Sequence, residues 1–214
     1  MSADRPTPRR TPTGAAVLRP ELTESIAEAV LDELAEHGYG RLSMDAVARR
    51  AGVGKSALYR RWPSKQDMVV DVVSRLSVPL ADVPDTGSLR DDLLATLRAV
   101  LDWLDHPRFR SVLPDLLAEA VRTPALADAL AKHVGEPRRL RGAALLDRGV
   151  ARGDVRADLD REVVLDLIAA PLYWRLRGRH VPVTPDYLEN LADALVSMVS
   201  AAPPGASREG DGAS

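Results

Sequence analysis

The chain has 214 residues, 45% of them hydrophobic but only 4% aromatic, with no cysteine and a formal net charge of −2. The missing cysteines exclude disulfide frameworks, thiolate zinc sites and cysteine nucleophiles. An apolar content dominated by Leu, Ala and Val favours helix-on-helix packing over a sheet of aromatic and β-branched strands. No apolar run approaches the roughly 18 residues of a membrane span, so a soluble, cytoplasmic protein without a membrane partner is expected.

Residues 1–20 are rich in Pro, Thr and Arg and lack the apolar segment of a secretory signal, so they read as a disordered basic arm. Leu22, Ile26, Ala29, Val30 and Leu34 recur at helical spacing and predict a helix over residues 21–37, with Pro20 suited to its first turn and Gly38 and Gly40 stopping it. The opposite face carries Glu21, Glu24, Glu28, Asp32, Glu33 and Glu36 without a base, a surface that nucleic acid would repel.

The stretch Leu42–Asp67, LSMDAVARRAGVGKSALYRRWPSKQD, predicts two short helices joined by a tight turn. Ser43 suits the N-cap of the first, with Asp45 in its electropositive first turn. Val47, Ala48 and Ala51 form the inner face, and Gly52 supplies the left-handed residue that reverses the chain. Val53 fills the gap, and Leu58 and Trp62, four apart, face inward from the second helix. Lys55, Ser56, Ala57, Tyr59, Arg60 and Arg61 are left to the outside. Ser64 and Asp67 are spaced as a capping-box variant at the start of the next helix. The pattern is that of a helix-turn-helix.

Residues 41–65 hold seven basic groups (Arg41, Arg49, Arg50, Lys55, Arg60, Arg61 and Lys65) against Asp45 alone, a net +6 that leaves −8 for the remainder. A solvated face interleaves its signs. A basic block on an otherwise acidic chain is instead an electrostatic footprint for phosphate. A basic patch that docks an acidic protein is the alternative reading.

The segment from Ile26 to Val73, and within it HGYGRLSMDAVARRAGVGKSALYRRWPSKQDMV, resembles the N-terminal domain of the TetR (tetracycline repressor) family of bacterial transcriptional regulators. The resemblance implies base-edge contacts from Lys55, Ser56, Ala57, Tyr59 and Arg60. It implies phosphate contacts from Ser43, Tyr59, Arg61 and Lys65. Chemistry agrees with that division: Lys or Arg donates to guanine O6 and N7, and Ala can touch a thymine methyl. Two positions depart from the family pattern. Gly54 stands where a Ser or Thr cap is frequent, and Arg61 where His or Tyr is usual.

A bridging helix is expected over residues 65–80, with the domain boundary inside it. This gives a DNA-binding domain at 21–68, a helical effector-binding and dimerisation domain at 69–202, and a disordered tail at 203–214. After the loop ADVPDTGS, further helices are punctuated by Pro107, Pro124 and Gly153, with Pro114 and Pro137 expected to kink theirs. Two strongly apolar helices close the domain at about 160–178 and 185–201. The run GDVRADLDREVVLDLIAAPLYWRL resembles the C-terminal domain of one TetR subgroup. That resemblance implies a homodimer through residues of about 160–201, packed as a four-helix bundle across a two-fold axis.

His37, His106, His133 and His180 are scattered without metal-ligand spacing, and no nucleophile-elbow, Walker or GxGxxG pattern occurs. No enzyme, metal or cofactor is expected. Candidate liners of an effector pocket are Trp103, Phe109, Leu113, Leu117 and Trp174, and Arg175, Arg177 and Arg179 are candidates to meet an acidic effector. The sequence thus predicts an all-α protein of about nine helices. Its expected function is that of a dimeric repressor on a palindromic double-stranded DNA operator, released by a small-molecule effector.

Overall fold

The computed structural model describes residues 20–77 and 85–201. The basic arm, the C-terminal tail, the end of the bridging segment and the first part of the following loop lie outside the described residues. Among the described residues there are ten α-helices: α1 (Pro20–Arg41), α2 (Met44–Arg50), α3 (Lys55–Tyr59), α4 (Lys65–Ser77), α5 (Leu89–Asp105), α6 (Phe109–Ala120), α7 (Pro124–Leu130), α8 (Glu136–Arg152), α9 (Arg161–Tyr173) and α10 (Pro185–Val199). A π turn, Ala131–Gly135, joins α7 to α8 without a break, so the described residues form nine continuous rods, as expected. The architecture is all-α; an antiparallel bridge, Val155 to Ser200, ties the end of α10 to the loop before α9.

The helix boundaries follow local chemistry. Ser43 accepts a hydrogen bond from the Ala46 N–H at 3.2 Å, capping α2 as predicted. Gly52 sits at φ +67°, with its own N–H on the Arg49 carbonyl and the Val53 N–H on the Ala48 carbonyl. This paired bonding closes a helix C-terminus through a left-handed residue. Ser64 accepts from the Asp67 N–H at 3.1 Å and its hydroxyl donates to the Asp67 carboxylate at 2.7 Å.

Pro137 perturbs its helix in an unanticipated way. It cannot donate to the His133 carbonyl, and its ring crowds that group. The chain widens into the π turn Ala131–Gly135 immediately before it. Pro171 likewise precedes a second π turn, Trp174–Gly178. Helix α6 continues through Pro114.

One continuous core runs through the described residues. Helices α1, α2 and α4 bury Ile26, Val30, Leu34, Val47, Met68 and Val69 together with Leu58 of α3. Helix α5 packs on α6, α8, α9 and α10, while α1 also lies along α6 and α4 touches α7 and the π turn. Two helices thus connect the helix-turn-helix to the larger helical body. Among the described residues, no helix is long and apolar enough to cross a membrane.

Candidate nucleic-acid interface and ligand cavity

Helix α3 is held by its inner face. Leu58 is fully buried, and Trp62, just beyond the helix, is 5% exposed. The Trp62 indole N–H donates to Asp71 of α4 at 2.8 Å. Each of these large side chains contributes about 1.5–3 kcal/mol by leaving water. That anchoring leaves Lys55, Ser56, Tyr59 and Arg60 exposed on the outer face, with Ala57 half-buried among them. Tyr59 is 52% exposed, so its ring and hydroxyl are open to solvent on this face.

The basic block is smaller than its sequence count. Arg50 donates to Glu33 at 2.8 Å and through both terminal nitrogens to Glu36, so the acidic face of α1 neutralises it. The shifts agree: hydrogen bonding to Arg50 holds the Glu36 carboxyl below its usual range, and hydrogen bonding to Glu36 raises Arg50. Lys55 lies 2.5 Å from Asp45, an exposed pair whose small net value leaves the ammonium available to a phosphate. Among the described residues, Arg41, Arg49 and Arg60 are exposed and make no ion pair.

Lys65 and Arg61 occupy less open positions. The Lys65 ammonium donates to the Tyr39 carbonyl at 2.9 Å and lies 4.3 Å from the centre of the Tyr39 ring. It therefore holds the α1–α2 corner against the start of α4. Arg61 is half-buried in a cleft that it shares with Glu24, Asp67 and Asp71, and its Nη1 is buried without an acceptor. Ser43, the fourth residue with an implied phosphate role, is exposed at its cap.

Such geometry, a buried helix pair with a basic, hydroxyl-bearing and aromatic outer face, matches a known group of proteins. Residues 26–72 match the family described as "Bacterial regulatory proteins, tetR family", and residues 83–195 match "Tetracyclin repressor-like, C-terminal domain". The chain belongs to the TetR family. It is 33% identical over 189 residues to the uncharacterized HTH-type transcriptional regulator Mb1581 of Mycobacterium bovis, covering 86% of this chain and 90% of that protein. It is 35% identical over 153 residues to the DNA-binding transcriptional repressor TetR of Mycobacteroides abscessus, covering 71% and 80%. The crystal structure of the TetR family regulator SCO0332 superposes with a TM-score of 0.68 at 30% identity, covering 85% of this chain and all of that one. As a TetR-family member, this chain is a helix-turn-helix, DNA-binding transcriptional regulator.

The larger body of this TetR-family chain encloses a cavity of about 670 Å³ bordered by α4, α5, α6, α7, α8 and α9. Of the five candidate pocket residues, Trp103, Leu113 and Leu117 border it. Phe109 and Trp174 do not. Phe109 opens α6 pointing into the core, 1% exposed, and its ring packs tilted against Trp103 at 5.5 Å. Trp174 opens the π turn and is 64% exposed.

The arginines near that turn are also engaged elsewhere. Arg175 donates to the Pro182 carbonyl at 3.0 Å and stacks on Tyr187, and Arg177 donates to the Leu104 carbonyl at 2.5 Å. The cationic side chains that do border the cavity are Arg138 and Arg139 of α8. Sequence reasoning missed both, because the run Pro137-Arg138-Arg139-Leu140-Arg141 looks like any basic helix start. Among the described residues, no cluster of three or more His, Asp or Glu is arranged to hold a metal ion.

Proposed function

We propose that this chain is a dimeric repressor whose hold on a palindromic operator is weakened when a small molecule enters the cavity. Helix α4 carries the reading: it begins at Lys65 against the helix-turn-helix, borders the cavity through Val73, and ends at Ser77 against Arg138. A ligand that displaces those contacts biases the same helix that positions the DNA-facing surface. In this reading Lys55, Ser56, Ala57, Tyr59 and Arg60 meet base edges, while Ser43, Arg61 and Lys65 meet phosphates.

Dimerisation is supported by two stripes that the monomer covers only in part. On α9 and its π turn, Val163, Leu167, Ala170 and Trp174 follow one face; on α10, Tyr187, Leu191, Ala194 and Met198 follow the same spacing. Val163 is 49% and Trp174 64% exposed, and Ala170 and Ala194 are exposed between half-buried neighbours. Such a seam of apolar residues at three- and four-residue intervals suits helix packing across a two-fold axis. A palindromic operator requires the paired α3 helices to lie about 34–36 Å apart, one turn of duplex.

Fluorescence anisotropy with duplex from the region beside the chain's own gene tests the reading. Binding should weaken steeply with salt and exceed that of a scrambled duplex. An absence of salt-dependent binding to any duplex at physiological ionic strength would overturn it.

A further inference from the structure

The cavity's lining is largely aliphatic, and its few polar groups are unevenly satisfied. The Thr96 hydroxyl donates to the Asp92 carbonyl at 2.7 Å. Arg139 and Asp166 neutralise each other at 2.6 Å, and Arg139 also pairs with Glu162. Arg138 differs from both. Among the described residues it has no carboxylate partner, and its Nη1 donates to the Ser77 carbonyl at 2.6 Å. Its guanidinium lies 4.0 Å from the centre of the Trp103 ring. The Trp103 indole Nε1, in the same wall, is buried with no acceptor.

This leaves a cation with unused donors on the wall of an apolar chamber. A guanidinium carries five N–H donors in a planar fork that matches a carboxylate. Burial, with the neighbouring Arg141 charge adding to it, pushes the Arg138 guanidinium down to about 10. It therefore remains charged at neutral pH and unpaired. A half-buried guanidinium with a carbonyl and a ring beside it but no carboxylate is further stabilised by an anion that reaches its free donors.

We propose that the cavity binds an anionic amphiphile, a monocarboxylate on a hydrocarbon or aryl body, whose head group takes hydrogen bonds from Arg138. One cation without a carboxylate partner suits a monoanion better than a doubly charged phosphate. The volume of about 670 Å³ lies within the range of small-molecule sites. The exposed lining residues Leu117, Ala131, Ala169 and Ala170 mark where the chamber reaches the surface. Its regulatory consequence rests on the function proposed above: the head group competes with the Ser77 carbonyl for Arg138 and so loosens the last turn of α4.

Isothermal titration of the full-length protein without DNA tests the site itself. The probes are decanoate against 1-decanol and naphthalene-2-carboxylate against naphthalene-2-methanol. At least one carboxylate should saturate one site per chain and bind at least tenfold more tightly than its alcohol. Arg138→Gln should erase that preference while leaving alcohol binding in place. Circular dichroism establishes that each variant is folded, and Arg138→Lys, which keeps the charge without the fork, stands in if the glutamine variant does not fold; it should show a reduced preference. Equal affinity for acid and alcohol, no saturable carboxylate binding, or an undiminished preference in the Arg138 variant would each overturn the proposal. Because no DNA is present, failure of the repressor reading would leave the result intact.

Discussion

The Asp115 carboxylate on α6 accepts a hydrogen bond from the backbone N–H of Tyr39 at 2.6 Å, joining residues 76 positions apart. The contact depends on Gly38, which adopts φ +73° and ψ 168° and breaks α1. A Cβ at Gly38 would sit 2.8 Å from Asp115 Oδ1. The glycine is therefore required twice, for its backbone conformation and for the approach of the carboxylate.

Gly38→Ala should destabilise the protein by about 1–3 kcal/mol through left-handed strain and the displaced Asp115. Asp115→Ala should cost about 1–3 kcal/mol by leaving the Tyr39 N–H unpaired. Urea unfolding followed by circular dichroism measures both. Because α6 also borders the cavity through Leu113, Leu116 and Leu117, Asp115→Ala should in addition weaken the effect of any cavity ligand on DNA affinity.

The basic residues should separate into three kinds in anisotropy titrations. Arg60→Ala should relax base preference at one operator position, at a cost of about 1–3 kcal/mol for the preferred site. Lys65→Ala should weaken binding to all duplexes similarly, and should also lower stability because the ammonium holds the Tyr39 carbonyl. Arg50→Gln should leave the salt dependence of DNA binding unchanged, because Glu33 and Glu36 already occupy that guanidinium.

Disrupting the exposed apolar stripes should split assembly from folding. Val163 and Trp174 are exposed in the monomer, so Val163→Glu or Trp174→Glu should leave the thermal midpoint of the isolated chain within a few degrees. Sedimentation should shift to the monomer, and operator affinity should fall at least tenfold as the paired half-site contacts are lost.

Acid should weaken the junction before α5. Burial pushes the Asp92 carboxyl up, but the Thr86 hydroxyl and N–H, at 2.7 and 2.8 Å, and the charges of Arg148 and Arg152 outweigh it, so the net shift is downward. A carboxyl held lower in the folded state contributes stability that is present above its unfolded value and lost as pH falls through its folded one. That loss belongs below about pH 4. Unfolding free energies measured from pH 7 to pH 2.5 should fall more shallowly at the acid end in Asp92→Asn than in the parent. An equal slope would remove Asp92 as the cause.

What the chain declares by itself is local. Ser43, Gly52 and the Ser64–Asp67 pair were legible because capping and left-handed turns are satisfied within a few residues of sequence. Leu58 and Trp62 were legible because helical period alone places them inward. The all-α class and the outer face of α3 follow from the same short-range rules. Contacts between distant segments obey no such spacing. Only the tertiary structure placed Arg50 on the acids of α1, seated Lys65 on Tyr39, and drew Phe109 into the core while leaving Trp174 outside. It also decided which arginine matters to the cavity. Arg175, Arg177 and Arg138 carry the same side chain, but their roles depend on which carbonyl, ring or carboxylate the fold brings alongside. For Arg138 these are the Ser77 carbonyl and the Trp103 ring, without a carboxylate, and only folding brings them together.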